Sequence, residues 1–238
     1  MMDFQGKVLV ISGAAGNLGA AVVKKALEKG AVVCGLDHGS GRLKGLRAFV
    51  KNTGALYEFD EVDVTDREVM VGLQAAVHEK AGRVDILVNT VGGFTAGEEV
   101  HELALETWER MLLLNVFSFL NLSHAFVPDL LAKGQGKAVS VGSRAALKGG
   151  AKTGAYAGAK GALLRLTESM AEELKSENIQ VNCVLPGTID TPQNREGMPN
   201  ADFSNWVTPE QVADVILYLC SSAADGITGA AVPVYGQA

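Results

Sequence analysis

A chain of 238 residues that is 47% apolar and 20% charged has the material for one large core and carries no signature of collagen, coiled coil or disorder. Its net charge of −6, with no cluster of Lys or Arg, argues against nucleic acid or an anionic membrane as partner, because both reward clustered cations. The three cysteines, Cys34, Cys183 and Cys220, lack CxxC or metal-like spacing and make a poor disulfide framework, so they read as core residues of a cytoplasmic protein with no metal site.

The opening MMDFQGKVLVIS holds an apolar run too short for a signal peptide, and the later run MLLLNVFSFL at 111–120 falls short of a membrane span. Strands are expected at 7–11, 31–36, 55–59, 84–88, 137–141, 179–185 and 230–235, each a short run apolar on both faces. Between them, 17–29, 66–80, 107–132, 154–176 and 208–222 carry apolar residues at helical spacing. Asp66 and Thr208 stand at helix starts, the second followed by Pro209 at the first helical position. Strands alternating with helices describe a single α/β domain of the doubly wound, Rossmann type, with a buried parallel sheet and helices on both faces.

The first strand runs into SGAAGNLG, where Gly13, Gly16 and Gly19 let backbone approach a pyrophosphate resting on the next helix's N-terminus. Alone, such a triplet is weak evidence. Strand two ends at Asp37, placed to accept hydrogen bonds from an adenosine ribose and to repel a 2′-phosphate. Ala14 and Ala15 put no basic group in the turn, so NAD(H) is favoured over NADP(H). Arg42 is the counter-candidate, read as solvated on the following helix. Asp63-Val64, after strand three, either contacts adenine or closes an Asx turn.

Asn89 begins NTVGG at the end of strand four, offering side-chain hydrogen bonds and glycine backbone beside a cofactor. Asn115 interrupts LLLNVF inside a helix, where a polar side chain needs a buried partner. Strand five ends near Ser143, and Tyr156 and Lys160 follow at i and i+4 on one helix face. A Lys ammonium beside a phenol favours the phenolate and lowers its pKa, which suits proton exchange with a carbonyl or alcohol.

In order and spacing this set resembles the short-chain dehydrogenase/reductase family over the whole chain: the glycine turn, Asp37, Asn89 to Gly92, Asn115, Ser143, Tyr156-x-x-x-Lys160 and Pro186-Gly187-Thr-Ile-Asp-Thr191. The resemblance implies strand order 3-2-1-4-5-6-7, a nicotinamide cofactor, a small-molecule substrate and a homo-oligomer, tetramer or dimer. It implies Tyr156 as general acid/base, Lys160 on the nicotinamide ribose, Ser143 polarising the substrate oxygen and Asn115 holding a relay water. It also assigns Gly13, Ala15, Gly16, Asn17, Leu18, Gly19, Asp37, His38, Asp63, Val64, Asn89, Val91, Gly92, Pro186, Gly187, Ile189 and Thr191 to the cofactor. One departure is the early middle glycine, GxxGxxG, with Asn17 where the family has glycine; another is Asn-Thr-Val-Gly in place of Asn-Asn-Ala-Gly.

A subgroup resemblance to dihydropteridine reductase lies in that glycine turn, in Gly92-Gly93-Phe94 and in Asp190 to Trp206, although that subgroup lacks the Ser and Asn that stand here as Ser143 and Asn115. Three readings follow: a carbonyl/alcohol oxidoreductase, a quinonoid dihydropterin reductase, and a non-catalytic dinucleotide sensor. The stretch at about 188–207 is too long and too well supplied with apolar anchors for a connector, and reads as a substrate lid. Its Asn194, Arg195, Met198, Phe203 and Trp206, with Gly93, Phe94 and Arg144, are the candidate substrate contacts.

Overall fold

The computed structural model describes residues 3–50 and 55–237. Strands Val8–Ser12 (β1), Val32–Leu36 (β2), Leu56–Phe59 (β3), Ile86–Asn89 (β4), Gly136–Val141 (β5), Ile179–Pro186 (β6) and Ala231–Val234 (β7) form one parallel sheet of order β3-β2-β1-β4-β5-β6-β7. The helices are Asn17–Glu28 (α1), Arg42–Phe49 (α2), Arg67–Ala81 (α3), Leu105–Leu112 (α4), Ser118–Lys133 (α5), Gly154–Leu174 (α6), Pro192–Gly197 (α7) and Pro209–Cys220 (α8).

Why the strand runs are mostly apolar is visible in β1, where every residue is buried and successive side chains leave by opposite faces. Leu9 and Ile11 join a core with Val22 of α1, Leu43 of α2 and Ile216 of α8. Val8 and Val10 join the other, with Met70 of α3, Phe126 of α5 and Leu163 of α6. Each such side chain contributes about 1.5–3 kcal/mol of transfer free energy, so a polar residue at either parity would be costly. The three cysteines are free and buried, Cys220 in the first layer, Cys34 in the second and Cys183 in a small cluster with Leu164 and Leu185.

Local signals fix the helix ends. The Asp66 carboxylate accepts from the backbone N–H groups of Glu68 and Val69. Thr208 and Gln211 form a reciprocal capping box ahead of Pro209. Two short helices were not bounded by the apolar pattern: α2, entered through Gly41 in the left-handed region, and α7, capped by Thr191 with Pro192 in its first turn.

The apolar run at 111–120 lies within a longer helix. Running through α4, a π turn at Leu113–Phe117 and α5, the helix covers Leu105–Lys133, 29 residues, which is long and apolar enough by composition to cross a membrane. In this fold 56% of its most apolar window is buried, as in a core helix. The strand order reverses between β1 and its two neighbours β2 and β4, which opens a crevice at the carboxyl ends of the strands.

Candidate active site

The glycine turn forms one wall of that crevice. Gly13 has φ of 70°, where a side chain is strained, and a Cβ on Gly19 would fall 2.1 Å from the Gly13 carbonyl oxygen. Among ordinary residues only glycine lets α1 lie this close to the turn. No side chain caps α1, so its leading N–H groups and the positive end of its dipole face the crevice. This is the chemistry a pyrophosphate requires. The Asn17 side chain does not turn inward: its amide donates to Gln193 Oε1 of α7 at 2.8 Å, tying the turn to the 188–207 segment.

Beyond the turn, a cavity of about 370 Å³ is lined by Asp37, His38, Arg42, Asp63, Val64 and Val91 among others. The buried Asp37 carboxylate accepts from the Ala15 N–H at 3.0 Å and the Gly39 N–H at 3.3 Å. Arg42 corrects the expectation of a solvated side chain. It is half exposed, but its guanidinium lies 2.9 Å from Asp37 Oδ1, because Gly41 at φ 72° starts α2 beside the carboxylate and Gly39 leaves room for the Arg42 stem. Asp63 lines the cavity and also closes an Asx turn, its Oδ1 accepting from the Thr65 N–H and hydroxyl at 2.8 and 2.7 Å.

A second cavity, of about 530 Å³, shares Thr90 and Gly92 with the first, so the two make one groove. Tyr156 and Lys160, one turn apart on α6, and Ser143, at the end of β5, converge on it. Lys160 is 4% exposed and donates to the Val141 carbonyl at 2.8 Å; burial pushes its pKa down to about 8. Burial raises the Tyr156 pKa above the ordinary phenol value, and a hydrogen bond with Ser143 works against that rise.

Here the sequence expectation of a phenol lowered by its Lys neighbour is not met. The Lys160 Nζ stands 6.0 Å from the Tyr156 ring centre and donates to Val141, and burial of the hydroxyl sets the direction of the shift. Spacing placed the two residues on one face; it did not say where Nζ would donate.

Asn115 sits in the π turn, fully buried. Its Oδ1 accepts from the Gly93 N–H at 3.1 Å, and its Nδ2 donates to the carbonyls of Gly93 at 3.1 Å and Met111 at 3.0 Å. The side chain is therefore a clamp on the backbone that leads to Phe94. A Cβ on Gly92 would lie 2.8 Å from Asn115 Oδ1 and 3.1 Å from Lys160 Nζ, which keeps this position glycine. Phe94 is 68% exposed, with its ring edge-on to Tyr156 at 5.0 Å between centroids.

Several candidates lie elsewhere. Asn89, expected beside a cofactor, points into the sheet; it accepts from Ser12 Oγ at 2.6 Å and donates to Ser118 Oγ at 3.1 Å, and lines neither cavity. The strand's alternation turned it inward. Thr90, which borders both cavities and donates to the Ser12 carbonyl at 2.7 Å, was the neighbour to single out in NTVGG. Pro186, Gly187 and Ile189 line the 530 Å³ cavity, while Thr191 serves as the cap of α7.

The 188–207 segment closes on itself through a bridge between Ile189 and Val207. Asn194 and Met198, four apart, line the cavity. Arg195, Phe203 and Trp206 do not: Arg195 makes a bidentate ion pair with Asp190 at 2.6 and 2.7 Å and lies over the Phe203 ring, which packs on Trp206. Helical phase sends residue 195 away from the face that 194 and 198 share. Gly93 and Arg144 do line the cavity, Arg144 with its guanidinium over the Tyr235 ring. A third cavity of about 210 Å³ lies at the amino ends of the strands, where Lys137 pairs with Asp225, and shares no lining residue with the other two.

A doubly wound sheet with an uncapped glycine turn and Ser, Tyr and Lys at its carboxyl edge defines an α/β protein of the dinucleotide-binding class. The profile of the short chain dehydrogenase family matches residues 7–201, and the chain belongs to that family. It is 31% identical to meso-2,3-butanediol dehydrogenase of Serratia marcescens, covering 100% of this chain and 96% of that one. It is 29% identical to a 3-oxoacyl-(acyl-carrier-protein) reductase of Thermotoga maritima, covering 99% and 98%. Among solved structures, NAD⁺-bound xylitol dehydrogenase superposes with a TM-score of 0.90 at 25% identity, covering 98% of this chain and 99% of that one. L-sorbose reductase from Gluconobacter frateurii, complexed with NADPH and L-sorbose, superposes at 0.89 with 27% identity, covering 99% and 97%. The protein is thus an oxidoreductase of this family.

Proposed function

We propose that the protein transfers hydride between NAD(H) and a carbonyl or secondary alcohol, with Tyr156 carrying the proton. The observation that carries this reading is the convergence of Ser143, Tyr156 and Lys160 on a cavity continuous with the glycine turn. Bound nicotinamide supplies or accepts the hydride. The substrate oxygen sits against Tyr156 and Ser143, which donate to it and hold it for the transfer. Lys160, protonated at neutral pH with a pKa of about 8, keeps a positive charge behind the phenol and reaches toward the nicotinamide ribose. Asn115 holds the Gly92-Gly93 wall and sets the depth of the pocket; a relay water beside it is part of this proposal.

The names of the relatives, a butanediol dehydrogenase and a 3-oxoacyl reductase, support carbonyl and alcohol chemistry over the sensor reading. The second enzymatic reading, reduction of a quinonoid dihydropterin, draws on the exposed Phe94 ring beside Tyr156. Assaying NADH oxidation with ketones and with quinonoid dihydropterin separates them. Ketone turnover that dies in Ser143→Ala supports the first; pterin turnover that survives in Ser143→Ala, without ketone turnover in the parent, supports the second. A homo-oligomer is also proposed, with the apolar residues Leu113, Phe117 and Leu131, exposed along one long helix, as the surface to be covered.

NAD(H) is favoured because the buried Asp37 carboxylate lines the cavity beyond the glycine turn and would repel a 2′-phosphate, while Arg42 is already paired with it. Asp37→Ser is expected to weaken NADH binding about tenfold and to tighten NADPH binding by a similar factor, since Arg42 is released toward the added phosphate. Fluorescence titration with both cofactors measures this. Tighter NADPH than NADH binding in the parent protein would reverse the assignment.

The raised Tyr156 pKa gives the pH dependence its sign. Reduction needs the phenol to donate, and the phenol is protonated across neutral pH, so the reduction rate owes no pH dependence to Tyr156 between about pH 6 and 8. Oxidation needs the phenolate, so its kcat/KM is expected to rise about tenfold per pH unit through the same range. A flat or falling oxidation profile would contradict the role.

A further inference from the structure

We infer that the substrate presents a flat ring to Phe94, so that the substrate class is a cyclic or aryl-fused carbonyl or alcohol and Phe94 is the residue that selects it. This deepens the proposed function and rests on its placement of the substrate oxygen at Tyr156.

Three features of the structure carry the inference. The first is position: the Phe94 ring meets the Tyr156 ring edge-on, at 5.0 Å and 77°, and both line the same cavity. A molecule whose oxygen reaches the Tyr156 hydroxyl therefore has its body beside Phe94. The second is rigidity. Asn115 holds both the N–H and the carbonyl of Gly93, and a Cβ at Gly93 would strike Leu114 Cδ1 at 2.7 Å, so the residue before Phe94 has no freedom to swing it elsewhere. The third is the surface that remains: Phe94 is 68% exposed although it is large, apolar and placed at the site.

An apolar face of this size in water is unfavourable, and covering it is the gain a ligand realises. Aromatic faces gain most from flat partners in stacked or edge contact, whereas a flexible chain loses rotamer freedom on covering the same face. Asn194 and Met198 line the same cavity, and Met198, 42% exposed, offers an adaptable apolar contact to a bound ring. Among the described residues no acidic side chain lines this cavity, so a cationic ring finds no counter-charge there.

The test compares 2-tetralone with 2-octanone, ketones of similar apolarity that differ in having a fused ring, as substrates with NADH. In the parent protein kcat/KM for 2-tetralone is expected to exceed that for 2-octanone at least tenfold. Phe94→Leu is expected to lower the 2-tetralone value by at least tenfold more than the 2-octanone value, and Phe94→Trp to restore the ring preference. Equilibrium binding of 2-naphthol, followed by its own fluorescence, reads the same contact without turnover and should weaken at least tenfold in Phe94→Leu. Equal losses for both ketones with unchanged 2-naphthol binding would overturn the inference and leave Phe94 as a support for Tyr156. Turnover of both ketones without ring preference would overturn it while leaving the carbonyl reading intact. Absence of turnover for every ketone, with 2-naphthol binding indifferent to Phe94, would sink both.

Discussion

Tyr156→Phe is expected to lower kcat for NADH-linked carbonyl reduction by about 10²- to 10⁴-fold, the range general acid–base catalysis supplies, with NADH affinity changed by less than about threefold. The substitution removes one oxygen. The ring keeps its edge contact with Phe94 and its packing beside Met111, Val116, Ala155 and Ala159, so the wall of the cavity stays in place. Ser143 remains, with its Oγ still accepting from the Ala145 N–H at 3.2 Å, and in its proposed role of polarising the substrate it would not replace the proton. Stopped-flow turnover together with NADH titration separates the two quantities. A variant within about tenfold of the parent in kcat would remove Tyr156 from the proton step.

Gly19→Ala is expected to weaken NADH binding about 100-fold and to lower the melting temperature by several degrees, although it adds a single methyl group. That methyl would fall 2.1 Å from Gly13 O, 2.8 Å from Gly13 C and 3.0 Å from Ala14 Cα, all backbone atoms of the turn. Nothing flexible is available to yield, so either α1 withdraws or the turn opens, and overpacking of this kind costs about 1–3 kcal/mol. For a domain of this size each kcal/mol shifts the melting temperature by about 2–4 °C. Gly45→Ala on α2 is the matched control, because a Cβ there meets nothing within 4 Å. It is expected to stabilise the protein by about 0.4–1 kcal/mol and to leave NADH binding unchanged. Calorimetry and titration of both variants decide it; normal NADH affinity in Gly19→Ala would mean that the turn does not carry the cofactor.

What was legible in the sequence was whatever depends on period and local chemistry. Strands such as β1, with four apolar residues in a row, announce themselves because burial on both faces favours apolar runs, and the caps at Asp66 and Thr208 are local hydrogen-bond chemistry. Tyr156 and Lys160 share a face because helical geometry requires it. What was not legible depends on direction in three dimensions. The Asp37–Arg42 pair exists because Gly41 is left-handed and Gly39 has no side chain, neither of which marks Arg42 as a partner in the sequence. Asn115 finds Gly93 only because the π turn sets its angle.

In the same way, one residue of strand phase decides that Asn89 bonds Ser12 and Ser118 while Thr90 borders the groove. In the 188–207 segment, polar residues gave no helical phase to read, so Arg195, Phe203 and Trp206 looked equivalent to Asn194 and Met198. The structure separates them into an outward cluster and a cavity wall. The raised Tyr156 pKa has a related cause: proximity along the helix says nothing of burial.

The central claim is that this groove transfers hydride to a substrate carbon whose oxygen Tyr156 protonates. The direct measurement is to run the protein with NADH carrying deuterium at the transferable position of nicotinamide C4 and a turned-over ketone, and to examine the alcohol by mass spectrometry. One deuterium on the carbinol carbon of the product is expected, with the amount of labelled alcohol formed by Tyr156→Phe over the same time lower by at least about 100-fold. NADH consumed without deuterium on that carbon, or equal labelling by Tyr156→Phe, would contradict it.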